Sequence, residues 1–274
     1  MATTTEERAT GRVAPTLNIT GAVSIWQREL IRFFRERTRS TTSLVQPLLY
    51  LLVFGTGLGA AVRRSAVGGN YRIFLLPGVI VMTALFTSMM SGMSVVWDRE
   101  FGFLKEILVA PVSRPSVIAG KVSGGATTAS MQGLAILIFS PIIGLHLNVL
   151  HVLKVIPALI LFALSVNLLG VAIASRTQTM QTFFVIQNFV MLPLFFLSGA
   201  VFPINTVPAW LRALATIDPA TYAVDSIRRA LIPYFPAAQI FGSHRTTYFE
   251  DLAILAILGV GLFVFAVRGL NKQP

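Results

Sequence analysis

The sequence predicts an all-α integral membrane protein, and three observations carry that prediction. Hydrophobic residues make up 54% of the 274 residues and charged residues only 12%, where a soluble globular domain carries roughly 25% charged residues. Mean hydropathy is +0.74, which excludes a disordered chain because disorder requires low hydrophobicity. The apolar residues are gathered into stretches near the length of a membrane helix. A hydrocarbon core takes about 20 residues of helix at about 1.5 Å each. There is no glycine period of the kind a collagen-like fibre needs.

Six stretches meet the length requirement: 43–62, 73–97, 122–145, 155–174, 182–201 and 252–267, the last slightly short and followed by Arg268. None of them contains Asp, Glu, Lys or Arg. Lys and Arg are more numerous on the side that would hold both termini, so the positive-inside rule predicts cytoplasmic ends. Residues 1–20 are Thr-rich, carry Glu6, Glu7, Arg8 and Arg12, and lack the apolar run of a signal peptide. They are expected to be a mobile cytoplasmic tail. The net charge of +11 would point to nucleic acid in a soluble protein. Here the basic residues flank apolar stretches, which points to anionic lipid headgroups and no nucleic acid partner. The chain has no cysteine, so disulfides, thiolate nucleophiles and Cys-ligated metals are excluded, and redox compartment is not legible.

Residues 21–40 are too charged to span. At 100° per residue Ala22, Val23, Trp26, Leu30, Phe33 and Phe34 share one face, and Arg28, Arg32, Arg35 and Arg39 the opposite one. Ile25 and Arg37 break the pattern. This is the signature of a helix lying in the membrane interface. It is either a simple anchor or a lever that meets a partner, since both need the same stripe.

Between the second and third spans, the stretch 98–114 reads DREFGFLKEILVAPVSR. Trp97, Phe101, Leu104 and Leu108 form one stripe, the charges lie largely away from it, and Pro111 stops the helix. The spacing predicts a short amphipathic helix, either a solvated connector or a docking element. Asp98-Arg99-Glu100, Gly102, Leu104 and Val109-Ala110-Pro111 resemble the loop signature of type-2 ABC exporter permeases. A second signature lies at 195–231, where Ser198-Gly199, Phe202-Pro203, Pro208, Trp210, Pro219, Tyr222, Asp225 and Arg228 match the same family in order. With the two signatures in order within a six-span frame, the resemblance covers nearly the whole chain, and the permeases of daunorubicin-resistance type are the nearest in flavour. The resemblance implies that 98–111 is a coupling helix seated on a separate ATP-binding subunit, with Asp98, Arg99, Glu100, Gly102, Leu104, Glu106 and Pro111 at the contact. It implies that 21–40, with Trp26, Arg28, Arg32, Phe33 and Arg35, is the interface helix beside it. It also implies a second permease copy or a related permease, and a bacterial plasma membrane location. Phe103 and Lys105 depart from the family's usual Thr and Glu, which changes the charges offered to the partner.

The roughly 50 residues between the fifth and sixth spans are too apolar for an ordinary loop. Prolines at 203, 208, 219, 233 and 236 punctuate them, with Phe202-Pro203 expected to break the fifth helix. Two helical runs, 209–216 and 222–231, are too short to cross. Such segments persist at membrane depth only when buried in protein or lining a cavity. In the resembled family the region, here 202–235, forms external re-entrant helices; a compact loop on the interface is the alternative.

Energy input is constrained by what the sequence lacks. Proton-driven carriers place ionisable residues in their spans, and the six stretches have none. A P-loop needs Gly, four residues, then Gly-Lys-Ser/Thr; Gly120-Lys121 is followed by Val122 and preceded at the first glycine position by Pro115. The chain is therefore expected to be no enzyme and to bind no cofactor, with ATP and Mg held by the partner. His146, His151 and His244 form no ligand set for a metal. Gln132, Asn167, Gln187 and Asn188 either line a substrate route or act as hydrogen-bonding glue between helices, the commoner role. Gly124, Gly125 and Gly133 would permit close helix approach. The expected function is the membrane subunit of an ATP-driven exporter of a hydrophobic drug-like or lipid-like substrate. Export of a lipid-linked polysaccharide and a non-transporting scaffold or passive channel are the rivals.

Overall fold

In the computed structural model the described residues are 18–61, 70–100, 114–232 and 246–271. They form nine α-helices: α1 Ile19–Arg35, α2 Arg37–Ala61, α3 Tyr71–Glu100, α4 Arg114–Ile136, α5 Val149–Ala174, α6 Met180–Leu197, α7 Ala209–Ala215, α8 Pro219–Leu231 and α9 Tyr248–Asn271. No strand occurs among them. Among the described residues five stretches are long and apolar enough to cross a membrane: Thr42–Gly59, Tyr71–Trp97, Pro115–Ile143, Val149–Ala174 and Met180–Leu197. The helix α9 covers the stretch expected for a sixth span.

Local chemistry sets the helix ends. Asn18 caps α1 by accepting from the Gly21 amide at 3.2 Å, and Thr179 caps α6 through the Thr182 amide at 3.3 Å. At α5, Asn148 accepts from Leu150 while the His151 ring accepts from the Asn148 amide, a capping box. His151 is thus a helix-start residue. After α4 the chain tightens into a 3-10 helix, Leu137–Ile143, that contains Pro141 and ends at Gly144, whose φ of 85° is left-handed.

The core is built on α3 and α5, with α4, α8 and α9 packed around them. Glycine faces glycine at their crossing: a Cβ on Gly92 would lie 2.6 Å from the Gly170 carbonyl carbon. Buried Phe74, Leu76, Ile80, Leu85 and Met89 of α3 meet Leu159 and Phe162 of α5 in the same apolar cluster.

Three expectations need correction. The interface helix was expected over 21–40, but it runs 19–35 and breaks at Glu36, so Arg37 and Arg39 belong to α2. The fifth span was expected to continue to 201, yet α6 stops at Leu197. Ser198 turns back on Phe195 O and Gly199 takes a φ of 71°, so the break precedes Phe202-Pro203. Finally, the spans are not free of charge. Hydropathy alone places the edge of the third span at Val122, whereas the apolar helix starts at Pro115 and includes Lys121, just as its neighbours include Arg72 and Lys154. Lys121 is buried, and its ammonium donates to Ser94 Oγ at 3.2 Å and Ser94 O at 3.4 Å, holding α4 to α3.

Candidate functional site

At one end of the bundle α1 lies along α4. The face it presents contains Ala22, Ile25, Trp26 and Glu29. Gly120 and Gly124 leave room for it, since a Cβ on Gly120 would meet Ala22 O at 2.6 Å and one on Gly124 would meet Glu29 Cβ at 2.7 Å. Trp26 Nε1 donates to Thr127 Oγ1 at 3.1 Å, and the Asn18 amide to Ser116 Oγ at 2.6 Å. Ile25, which looked like a flaw in the amphipathic stripe, is a seam residue. The exposed apolar set is instead Ile19, Val23, Ile31 and Phe34. Arg28, Arg32 and Arg35 are exposed and Phe33 is half-buried.

The same end holds the tip of α3. Glu100 is exposed and accepts from the Met180 amide at 3.2 Å, so its carboxylate sits at the first turn of α6, where the helix dipole favours a negative charge. Asp98 and Arg99 lie in the last turn of α3. Gly102, Leu104, Glu106 and Pro111, expected at the same contact, fall outside the described residues.

At the other end α8 is buried along nearly its whole length among α3, α5 and α9. It starts at Asp218, whose carboxylate accepts from the Ala220 amide at 2.8 Å, with Pro219 in the first turn, where its missing N–H costs nothing. Burial pushes the Asp218 carboxyl up to about 8. Tyr222 donates to Thr216 O at 2.6 Å, locking α8 to the end of α7. Arg228, 3% exposed, donates to Gly199 O at 2.9 Å and Phe74 O at 3.4 Å and lies 4.0 Å from the centre of the Phe74 ring. Asp225 accepts from Arg229 Nη2 at 2.6 Å and Nε at 2.8 Å, and Asp251 of α9 lies 3.8 Å from the same guanidinium. The structure therefore joins Ser198, Gly199, Tyr222, Asp225 and Arg228 around one buried helix. Pro203 and Pro208 instead flank short turns, and Trp210 on α7 is 66% exposed.

Two sequence signatures in one helical frame find their counterpart in known proteins. The family model for ABC-2 type transporters matches residues 21–232. This chain belongs to the ABC-2 type transporter family. Among its relatives within reach of sequence comparison is ycf38 of Cyanophora paradoxa, named as a transport permease, 31% identical over 74% of this chain and 71% of that protein. Another is the inner membrane transport permease YadH of Escherichia coli K12, 29% identical over 75% of this chain and 80% of its own length. Nodulation protein J of Rhizobium leguminosarum bv. viciae is 26% identical over 77% and 82%. The chain is thus a multi-pass membrane permease subunit of an ABC transporter, a class that works with an ATPase partner.

In this ABC-2 permease the four polar span residues differ in what they do. Gln132 donates to Ser43 Oγ at 2.6 Å and accepts from Thr87 Oγ1, tying α4 to α2 and α3. Asn167 is buried and donates to Ala163 O at 2.8 Å. Gln187 is buried and reaches Met90 Sδ at 3.6 Å, while Asn188 is exposed on α6. Sequence reading missed Glu29, Lys121, Arg229 and Asp251. The four-residue spacing of Asp225 and Arg229 was a visible helical pair. Glu29 follows Trp26 by three residues and so shares its packed face. Nothing local marked Asp251.

Proposed function

We propose that this chain is the membrane-spanning subunit of an ATP-binding cassette exporter that moves a hydrophobic drug-like or lipid-like substrate outward. ATP and Mg are bound by a separate subunit. In this reading α9 is the sixth span and both termini are cytoplasmic, in a bacterial plasma membrane. The ATPase docks on 98–111 and α1, and α7 with α8 form the re-entrant cap at the outer exit. A second copy, or a related permease, completes the route.

The observation that carries the reading is the pair of anchors on α3. Thirty residues long, it is about 45 Å of helix. At one end Tyr71 donates to Val201 O at 2.9 Å and the Phe74 carbonyl receives Arg228 of α8. At the other, Glu100 caps α6. A displacement applied at the 98–111 end therefore reaches the α8 end through one packed rod, so differential ATPase binding to two conformations has a physical path to the outer gate.

Co-reconstitution in liposomes tests it. With the ATP-binding subunit and internalised Mg-ATP, a hydrophobic fluorescent substrate should move uphill, and the flux should vanish without nucleotide. Uphill movement by the chain alone would overturn the proposal; substrate-stimulated hydrolysis by a lipid-linked glycan in place of the dye would move it to the polysaccharide reading.

A further inference from the structure

Under α1, between α2, α3 and α4, lies a cavity of about 820 Å³, within the size range of small-molecule sites. Its body is soft and apolar: Phe33, Phe86, Met82, Met90, Met93 and Trp97 line it. Methionine side chains adapt to irregular shapes, and aromatic faces attract cations as well as apolar groups. Ser43, Thr87 and Gln132 line its inner wall, and they already satisfy one another.

Charge enters from α1. Arg32 is engaged with Glu36 at 3.1 Å. Glu29 differs: its side chain is 13% exposed, its Oε1 is buried with no hydrogen-bond partner, and among the described residues its ion-pair contact is Arg28, 3.8 Å away and 58% exposed. A carboxylate oxygen buried without a hydrogen bond is costly, yet Glu29 is placed there by the packing of its own Cβ over Gly124. A group that brings its own N–H donors and a positive charge removes that cost. An anionic head would meet the same carboxylate and find Arg32 already paired.

We infer that this cavity binds an amphiphile with a protonated amine at one end, its ammonium on Glu29 and its apolar body along Phe33, Phe86 and Met90. The inference rests on the reading of the chain as a permease for apolar substrates and names the substrate class and its site within one protomer. A free organic amine and an amine-headed lipid share this chemistry.

Binding to the purified full-length permease, without nucleotide or ATPase, separates this site from the pump reading, because flux and binding fail independently. The probes are radiolabelled propranolol, an aromatic secondary amine, and its glycol analogue, in which a hydroxyl replaces the amine. Wild type should favour the amine about tenfold, the order expected of one charge-assisted contact. Glu29→Gln should abolish that preference and leave glycol binding unchanged. Gln46→Trp, which fills the exposed mouth, should weaken both probes. Competition by phosphatidylethanolamine but not phosphatidylglycerol assigns the native occupant to the lipid amine; competition by neither assigns it to a free organic cation. Equal affinity for the two probes in wild type, an unchanged preference in a Glu29→Gln protein with wild-type melting, or competition by phosphatidylglycerol alone would overturn it.

Discussion

The two ends of the bundle hold their arginines in opposite ways. Around α8, Asp225, Arg228 and Arg229 are drawn inward and bonded to each other or to backbone carbonyls of α3 and the α6 turn, with Asp251 3.8 Å from the Arg229 guanidinium. Along α1, Arg28, Arg32 and Arg35 stay at the surface, and only one edge of the helix is lodged, against α4. Buried, partnered charge resists displacement because breaking one contact strands another. Surface charge is freely exchanged for new partners. Stiffness thus belongs to the α8 end and adaptability to the α1 end, the division that the proposed ATP-driven export would require.

The sharpest way to break the comparison is to remove one arginine from each end. Arg228→Ala takes away two backbone hydrogen bonds and a cation–π contact at once. It should lower stability by about 3 kcal/mol, seen as a large drop in the melting temperature of the detergent-solubilised protein. Arg35→Ala removes a side chain from the exposed face of α1 and should leave the melting temperature unchanged. Similar losses at both sites would erase the distinction.

A second test sharpens the α8 side by pH. The folded state raises the Asp218 carboxyl from its ordinary value of 3.8 to about 8. Within that window the native state binds the proton more tightly than the unfolded chain. The stability this contributes is fully present below about pH 4 and is lost as pH rises through about 8. Asp218→Asn keeps an acceptor for the Ala220 amide and cannot ionise. Its melting temperature should be flatter than wild type between about pH 5 and 8, with the two proteins converging at the acid end. Parallel curves would show that burial at Asp218 is not what sets the slope.

What the sequence made legible follows the same division. The apolar frame was readable because span length is a one-dimensional property, and the Asn148 and Thr179 caps lie beside the helices they start. The residues of 195–231 were readable as a signature, but not their meeting point: Gly199 and Phe74 are 125 positions apart yet receive the same guanidinium. Lys121 was lost because hydropathy treats every lysine as a boundary, while Ser94 supplies the acceptors that let one stay inside. Ile25 read as a defect because the stripe was weighed for lipid alone, and the second apolar partner, α4, is visible only in three dimensions. Residues 102–111, expected at the contact with an ATP-binding subunit, lie outside the described residues.

The most local of the expected effects tests the α1 seam. Gly120 admits α1 so closely that any side chain there must push on the Ala22 carbonyl, a backbone atom that cannot rotate away. Gly120→Val should lift α1 without touching the α3–α5 core, because Gly120 faces α1 while the core cluster lies on the far side of α4. The chain contains no native cysteine, so Thr127→Cys reports the seam cleanly. A water-soluble maleimide should label that thiol slowly beneath Trp26 in the otherwise wild-type protein and several times faster once Val stands at 120. The melting temperature should fall by far less than in Arg228→Ala, since most helix stability of α1 is peripheral to the cooperative core. If labelling stays slow, α1 is held by more than its glycine seam, and the adaptable end of the bundle is as rigid as the other.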